Sequence, residues 1–212
     1  MKRGQVTIFT VLGLIVIIIV ALLLFLNQSK SSIQSEVVEL ENIDDFENYI
    51  NSCIYDTLEE AKTTIMRNGG VAELKDYNQE YNVEYYSNLN LENEFSKYME
   101  TNLRNCKVQI SDYEIEYGDI TTEITIENKE IQAEVEWPIT ITNDIKSELK
   151  YFSAGINSNL YIINNFIEEY LNNEQILLQN GEVEVNILAD YNTGEKVYIF
   201  SYENEQFYIA IE

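Results

Sequence analysis

IQAEVEWPITI, Ile131 to Ile141, alternates apolar and polar residues over eleven positions. Ile131, Ala133, Val135, Trp137, Ile139 and Ile141 fall on one face, because successive side chains of a strand point to opposite sides of a sheet. The stretch therefore predicts a half-buried strand with one wet face, which is the pattern of an antiparallel sheet. Pro138 has no N–H to give a ladder, so the strand is expected to be an edge there or to bulge. Glu130, Glu134 and Glu136 share the wet face. Paired carboxylates can do acid–base work inside a cleft, but on an open strand face they read as solvated charges.

Upstream, Ile124 and Ile126 alternate with Thr125 and Glu127, and Asn128-Lys129 turns the chain back. Val108, Ile110 and Tyr113 begin this meander. Downstream, Ile145, Leu149, Phe152, Ile156, Leu160, Ile163, Ile167 and Leu171 recur at three- and four-residue steps. That spacing predicts a long third helix over about 144–172, capped by Asn143 or Asp144 and bent at Gly155. Its stripe could lie across a sheet or form a seam for self-association. Three short strands follow, Val183–Leu188, Val197–Tyr202 and Phe207–Ile211, with turns at Asn192-Thr193-Gly194 and Glu203-Asn204-Glu205. Asp190, Asn192 and Glu195 could bracket a cation, though a turn of that composition needs no metal.

Ahead of the meander lie two helices. The first is expected over 37–67, with Ile43, Phe46, Ile50, Cys53 or Ile54, Ala61 and Ile65 on one face and Gly69-Gly70 as its stop. The second is expected over 91–104, capped by Asn90, with Glu92 and Glu94 in the first turn and Leu91, Phe95, Met99 and Leu103 as its face. Between them, YNVEYY predicts one short strand inside a long loop. Tyr77, Tyr81, Tyr85 and Tyr86 make a candidate ligand loop for a sugar or peptide, against the commoner role of tyrosine in packing and hydroxyl hydrogen bonds. Segregated helices and meanders without a repeating βαβ pattern make the fold class α+β.

The N-terminal end sets the topology. Val6 to Leu26 contains no charged residue. As a helix it is about 31 Å long, enough for a roughly 30 Å hydrocarbon core. Lys2, Arg3 and the amino terminus precede it and only Lys30 follows closely, so the N-terminus is expected in the cytoplasm and residues 27–212 outside. NQSKSS lacks a small-x-small cleavage site, which predicts a retained anchor. The organisation is then a basic flank (1–5), a transmembrane helix (6–26) contacting the lipid bilayer, a stalk (27–36), a disulfide-linked helical subdomain (37–106), and a strand meander, long helix and terminal meander (107–212).

Composition limits the chemistry. The formal charge is −24, and every acid lies after residue 26. With Lys2 and Arg3 set aside, 37 acidic residues face 11 basic ones, a formal −26. Nucleic acid and anionic lipid are poor partners for such a surface. With 45% apolar residues and 16 Tyr the exported part has the makings of a folded core. There is no histidine, which removes the usual general base, the Ser-His-Asp and Cys-His arrangements and the commonest zinc ligand. No catalytic residue, cofactor or metal site is assigned from the sequence. The cysteines are two, Cys53 and Cys106, and outside the membrane an even pair reads as a disulfide.

Lys2-Arg3-Gly4-Gln5 followed by an apolar helix resembles the class III signal of archaeal pilin-like proteins, over about 25 residues. The resemblance implies a prepilin-type peptidase as a partner, with Gly4 and Gln5 as the processing site, and a pilin-like subunit as product. Phe9 stands at the fifth mature position, where many type IV pilins carry the Glu that sets subunit register. More loosely, the order of Lys2 to Gln5, Cys53, Gly69-Gly70, Cys106, Trp137-Pro138 and the last strands resembles an uncharacterised class of membrane-anchored envelope proteins of small-genome archaea. That likeness implies an archaeal cell surface and supplies no activity.

Overall fold

The computed structural model describes residues 43–75, 77–85, 90–110, 112–143, 146–172, 183–190 and 195–211. The expected anchor 6–26, the stalk, Gly4 and Gln5, Tyr86 and Asn192 lie outside the described residues. Among the described residues no helix is long and apolar enough to cross a membrane. The described part is α+β: three helices and antiparallel sheets.

Helix α1 spans Ile43–Arg67. Phe46, Ile50, Ile54, Leu58, Ala61 and Ile65 form its fully buried face, as the three- and four-residue spacing requires. It ends where expected. Gly69 and Gly70 both take positive φ, and the Gly70 N–H closes back on the Ile65 carbonyl at 2.8 Å, the left-handed termination that glycine makes cheaply. The loop beyond holds two two-residue strands, β1 (Tyr77–Asn78) and β2 (Val83–Glu84), in place of the single strand expected. Tyr81 sits in the turn between them, followed by Asn82 at φ 54°. Asn tolerates that region because its short amide can bond locally.

Helix α2 covers Leu91–Asn102, and the Asn90 side chain accepts the Asn93 N–H at its start. A 3₁₀ turn, Leu103–Cys106, tightens its end. Strands β3 (Glu114–Tyr117), β4 (Thr121–Glu127), β5 (Glu130–Thr142) and β6 (Lys146–Asn157) form a four-stranded sheet. The alternation of β5 is realised throughout, and its six apolar residues are buried. β4 pairs with residues 130–136 of β5 and β3 with residues 139–142, so the two share one edge, while β6 takes the other. Trp137-Pro138 falls at the junction. The register against β6 shifts between Glu136 and Ile139, a bulge with two β5 residues facing one on β6. On the opposite edge Gly118 closes on the Pro138 carbonyl at 2.7 Å. A side chain at Gly118 would press on the proline at 3.1–3.3 Å.

The expected third helix over 144–172 is corrected here. Its first half is β6, and only Leu160–Asn172 is helical, as α3. The reason is the bulge. Ser147 and Leu149 face inward before it and Phe152, Ala154 and Ile156 after it, so the strand's period of two slips by one residue. The resulting steps of three and four imitate a helix. Ser158 and Asn159 make the real boundary. The Ser158 hydroxyl accepts the Leu160 N–H at 3.1 Å, and the Ile163 N–H reaches the Asn159 carbonyl.

The last sheet has the order β7-β8-β9: Glu184–Asp190, Lys196–Tyr202 and Glu205–Ile211. The β8–β9 turn is Glu203-Asn204 alone, with Glu203 at φ 53° and Glu205 already in the strand opposite Tyr202. α1 packs on β6, β9 and α2, α2 also covers β4, and α3 lies on β8. The rings of Phe166 and Tyr170 meet Tyr198 and Phe200 there, with Tyr170 edge-on to Phe200 at 5.5 Å.

Candidate functional site

Cys53 and Cys106 form a disulfide. It joins the middle of α1 to the end of the 3₁₀ turn after α2, with a Cα separation of 6.0 Å, so the intervening hairpin is held between two cross-linked helices. The chain is pinned again just past the bridge. The Tyr117 hydroxyl donates to the Val108 carbonyl at 2.8 Å and accepts the Val108 N–H at 3.0 Å. Burial pushes this phenol above its ordinary value. Its ring lies 5.5 Å from that of Trp137. The indole Nε1 of Trp137 is, among the described residues, the buried side-chain polar atom without a partner.

The candidate tyrosine loop is built around Asn78. Its side-chain oxygen accepts the N–H groups of Glu80 and Tyr81, each at 3.1 Å, and its amide donates to Glu195. The Tyr85 hydroxyl donates to the same Glu195 oxygen at 2.6 Å. Tyr85, then Asn78, hold the Glu195 carboxyl below its ordinary value against a small opposing effect of burial. Val83 lies in a cluster with Val197 and Ala210, with Tyr81 and Tyr85 half-buried against it. Tyr85 also makes a single parallel bridge to Ala210, which sets the end of the hairpin against β9. Only Tyr77 of the three described tyrosines is exposed, at 36%. The structure thus brings Tyr81 and Tyr85 together as packing and hydrogen-bonding groups. Glu84 serves the same loop, accepting the Lys75 N–H at 2.7 Å.

The remaining acidic candidates separate. Asp190 pairs with Lys196 at 3.6 Å, whereas Glu195 is held by Tyr85 and Asn78. Among the described residues no cluster of potential metal ligands occurs. Glu130, Glu134 and Glu136 are exposed on β5, with Glu134 directly opposite Glu123 and Glu136 bonded to Lys150 at 2.9 Å.

Two polar devices were not legible as sites in the sequence. At the β6-to-α3 boundary, Glu205 accepts the Asn159 N–H at 2.6 Å and the Ser158 hydroxyl at 3.0 Å, and lies 3.6 Å from the Lys62 ammonium. Near α2, Glu94 accepts the Ala72 N–H at 3.1 Å and the Lys97 ammonium. Burial alone would raise Glu94, but the Lys97 and Ala72 bonds outweigh it and the carboxyl sits below its ordinary value. Glu205 reaches Ser158 and Asn159, and Glu94 reaches Ala72, across long separations in sequence, so no local spacing announces these contacts. Comparison of the chain with protein families, with curated proteins and with solved structures returns no match.

Proposed function

We propose that the chain is a non-catalytic, single-pass, membrane-anchored protein of the cell surface or envelope, with its N-terminus in the cytoplasm and the α+β domain outside. The observation that carries this reading is the uncharged run Val6–Leu26 between a basic flank and an acidic domain. The Cys53–Cys106 bridge supports it, since structural disulfides persist in oxidising compartments. A histidine-free chain with its strand carboxylates on an open face fits a role in binding or assembly. The Gly4-Gln5 junction adds a pilin-like subunit as the specific form, and the whole-chain likeness adds an archaeal envelope as its setting.

The test is the N-terminal mass of protein extracted from native membranes, together with its resistance to alkaline carbonate. A carbonate-resistant chain starting at Met1 is the plain anchored form. One starting at Gln5 is the pilin-like form, and filaments should then be sought. A chain starting beyond residue 26, or released by carbonate, refutes the anchor.

A further inference from the structure

A cleft of about 470 Å³ opens where the start of α2, the end of β4 and the first turns of α3 meet. Its walls differ from those of two other clefts among the described residues. The 620 Å³ cleft beside β5 carries Glu47, Glu123, Glu134 and Glu136. The 400 Å³ cleft beside α2 carries Lys75 and Lys97 with Glu73 and Glu94. Here the lining is three amides, Asn90, Asn164 and Asn165, and one phenol, Tyr161, with Leu91 and Ile126 as its apolar residues. The single carboxylate, Glu92, already accepts the Ile126 N–H at 3.3 Å.

The placement is fixed by the fold. Tyr161, Asn164 and Asn165 stand at i, i+3 and i+4 on α3 and so share one face. Asn90 is held by its capping bond to the Asn93 N–H, which leaves its amide N–H groups for the cleft. Asn164 donates one N–H to Glu168 at 3.2 Å and keeps its carbonyl oxygen. The Asn165 side chain makes no hydrogen bond among the described residues, and Tyr161 is 42% exposed.

Amides donate and accept side by side, which matches a ligand whose groups do the same. An anion would enter against the field of a −24 chain. A cation would find four carboxylates and no basic residue in the cleft beside β5. A purely apolar ligand would leave the amides unsatisfied, at a cost. The remaining class is a neutral polyol with one apolar C–H face to lie on an aromatic ring. The volume suits a small ligand. We propose that this cleft is a carbohydrate-binding site, taking one or two neutral pyranose rings with Tyr161 as the platform and Asn90, Asn164 and Asn165 as hydroxyl partners. This inference is independent of the anchor.

The test is saturation-transfer NMR on the full chain without glycoside detergents, which would compete: in lipid nanodiscs when the chain is carbonate-resistant, in plain buffer when it is not. The probes are methyl mannoside, maltose, lactose and chitobiose. Transfer to pyranose C–H protons is expected for at least one of them. Tyr161→Ala and Asn165→Ala should each weaken binding tenfold or more, while Tyr161→Phe retains it. Tyr151→Ala, at a 72% exposed tyrosine on β6, should leave it unchanged. No transfer from any of the four sugars overturns the assignment. So does transfer that survives both cleft variants, or that falls equally in Tyr151→Ala. Asn165 is exposed, so its variant keeps the test valid if Tyr161→Ala fails to fold.

Discussion

Removing the Cys53–Cys106 bridge should cost this domain a large share of its stability. The two cysteines are 53 residues apart. In the chain-entropy treatment, opening a loop of that length returns about 14 cal/mol/K to the unfolded chain, or about 4 kcal/mol at 25 °C. Domains of this size have total stabilities of only about 5–15 kcal/mol. The folded state should change little, because the apolar faces of α1 and α2 remain: Ile50 and Ile54 on one, Phe95 and Met99 on the other, all fully buried. The appropriate variant is Cys53→Ala with Cys106→Ala. Cys106 is only 1% exposed, and a serine there would bury a hydroxyl and confuse the comparison. Urea unfolding of the full chain, followed by tryptophan fluorescence, reads Trp137 alone, as the chain has one Trp. With a slope of about 2 kcal/mol/M, the midpoint should fall by about 2 M. Reducing the parent chain should reproduce the shift. A shift below about 0.5 M, with the slope unchanged, would refute the loop-entropy reasoning.

Other perturbations follow from single contacts. Gly69→Ala must hold an alanine at φ 84° with its Cβ 2.9 Å from the Glu84 carbonyl oxygen; a loss of about 2 kcal/mol or more is expected in the same urea assay. Ser158→Ala removes the hydroxyl that starts α3 and should cost about 1 kcal/mol, and Glu205→Gln should weaken the same boundary. Glu94 is depressed below its ordinary 4.5. Its contribution is therefore fully present above that value and is lost as pH falls through the lower folded-state value. Melting temperatures between about pH 5 and pH 3 should drop less steeply for Glu94→Gln than for the parent. Tyr85→Phe removes the largest influence on Glu195, so the Glu195 titration followed by carboxyl NMR should move up toward the ordinary range.

Much of the architecture was readable because it is local. The α1 stripe, its Gly69-Gly70 stop, the Asn90 cap and the β5 alternation each rest on residues within a few positions of one another. The disulfide was readable from the even cysteine count together with the expected exported topology. The third helix was misread because a bulge in one strand, at Trp137-Pro138, shifts the phase of its neighbour, β6. That information lies in the pairing and is invisible in the spacing of Leu149, Phe152 and Ile156. The packing and hydrogen-bonding role of the tyrosine loop, the commoner reading of such residues, depends on distant partners in the same way. What turns Tyr81 and Tyr85 inward is Val197, Ala210 and Glu195, more than a hundred residues away in sequence. The amide cleft was likewise unreadable, although Tyr161 and Asn164-Asn165 are adjacent on α3. Nothing local says that Asn90 and Ile126 lie opposite them.

The role of β9 has a consequence for how the chain is made. Glu205 satisfies the backbone at the start of α3, and Ala210 pairs with Tyr85 at the end of the hairpin. Both partners leave the ribosome well before residues 205–210 do. During synthesis the hairpin edge and the Asn159 N–H therefore wait for a strand that does not yet exist, as does the apolar cluster around Val83. Nascent chains halted before residue 205 should bind hydrophobic-sensing dyes and chaperones, and those extended past Ile211 into a linker should release them, with β9 as the vectorial checkpoint.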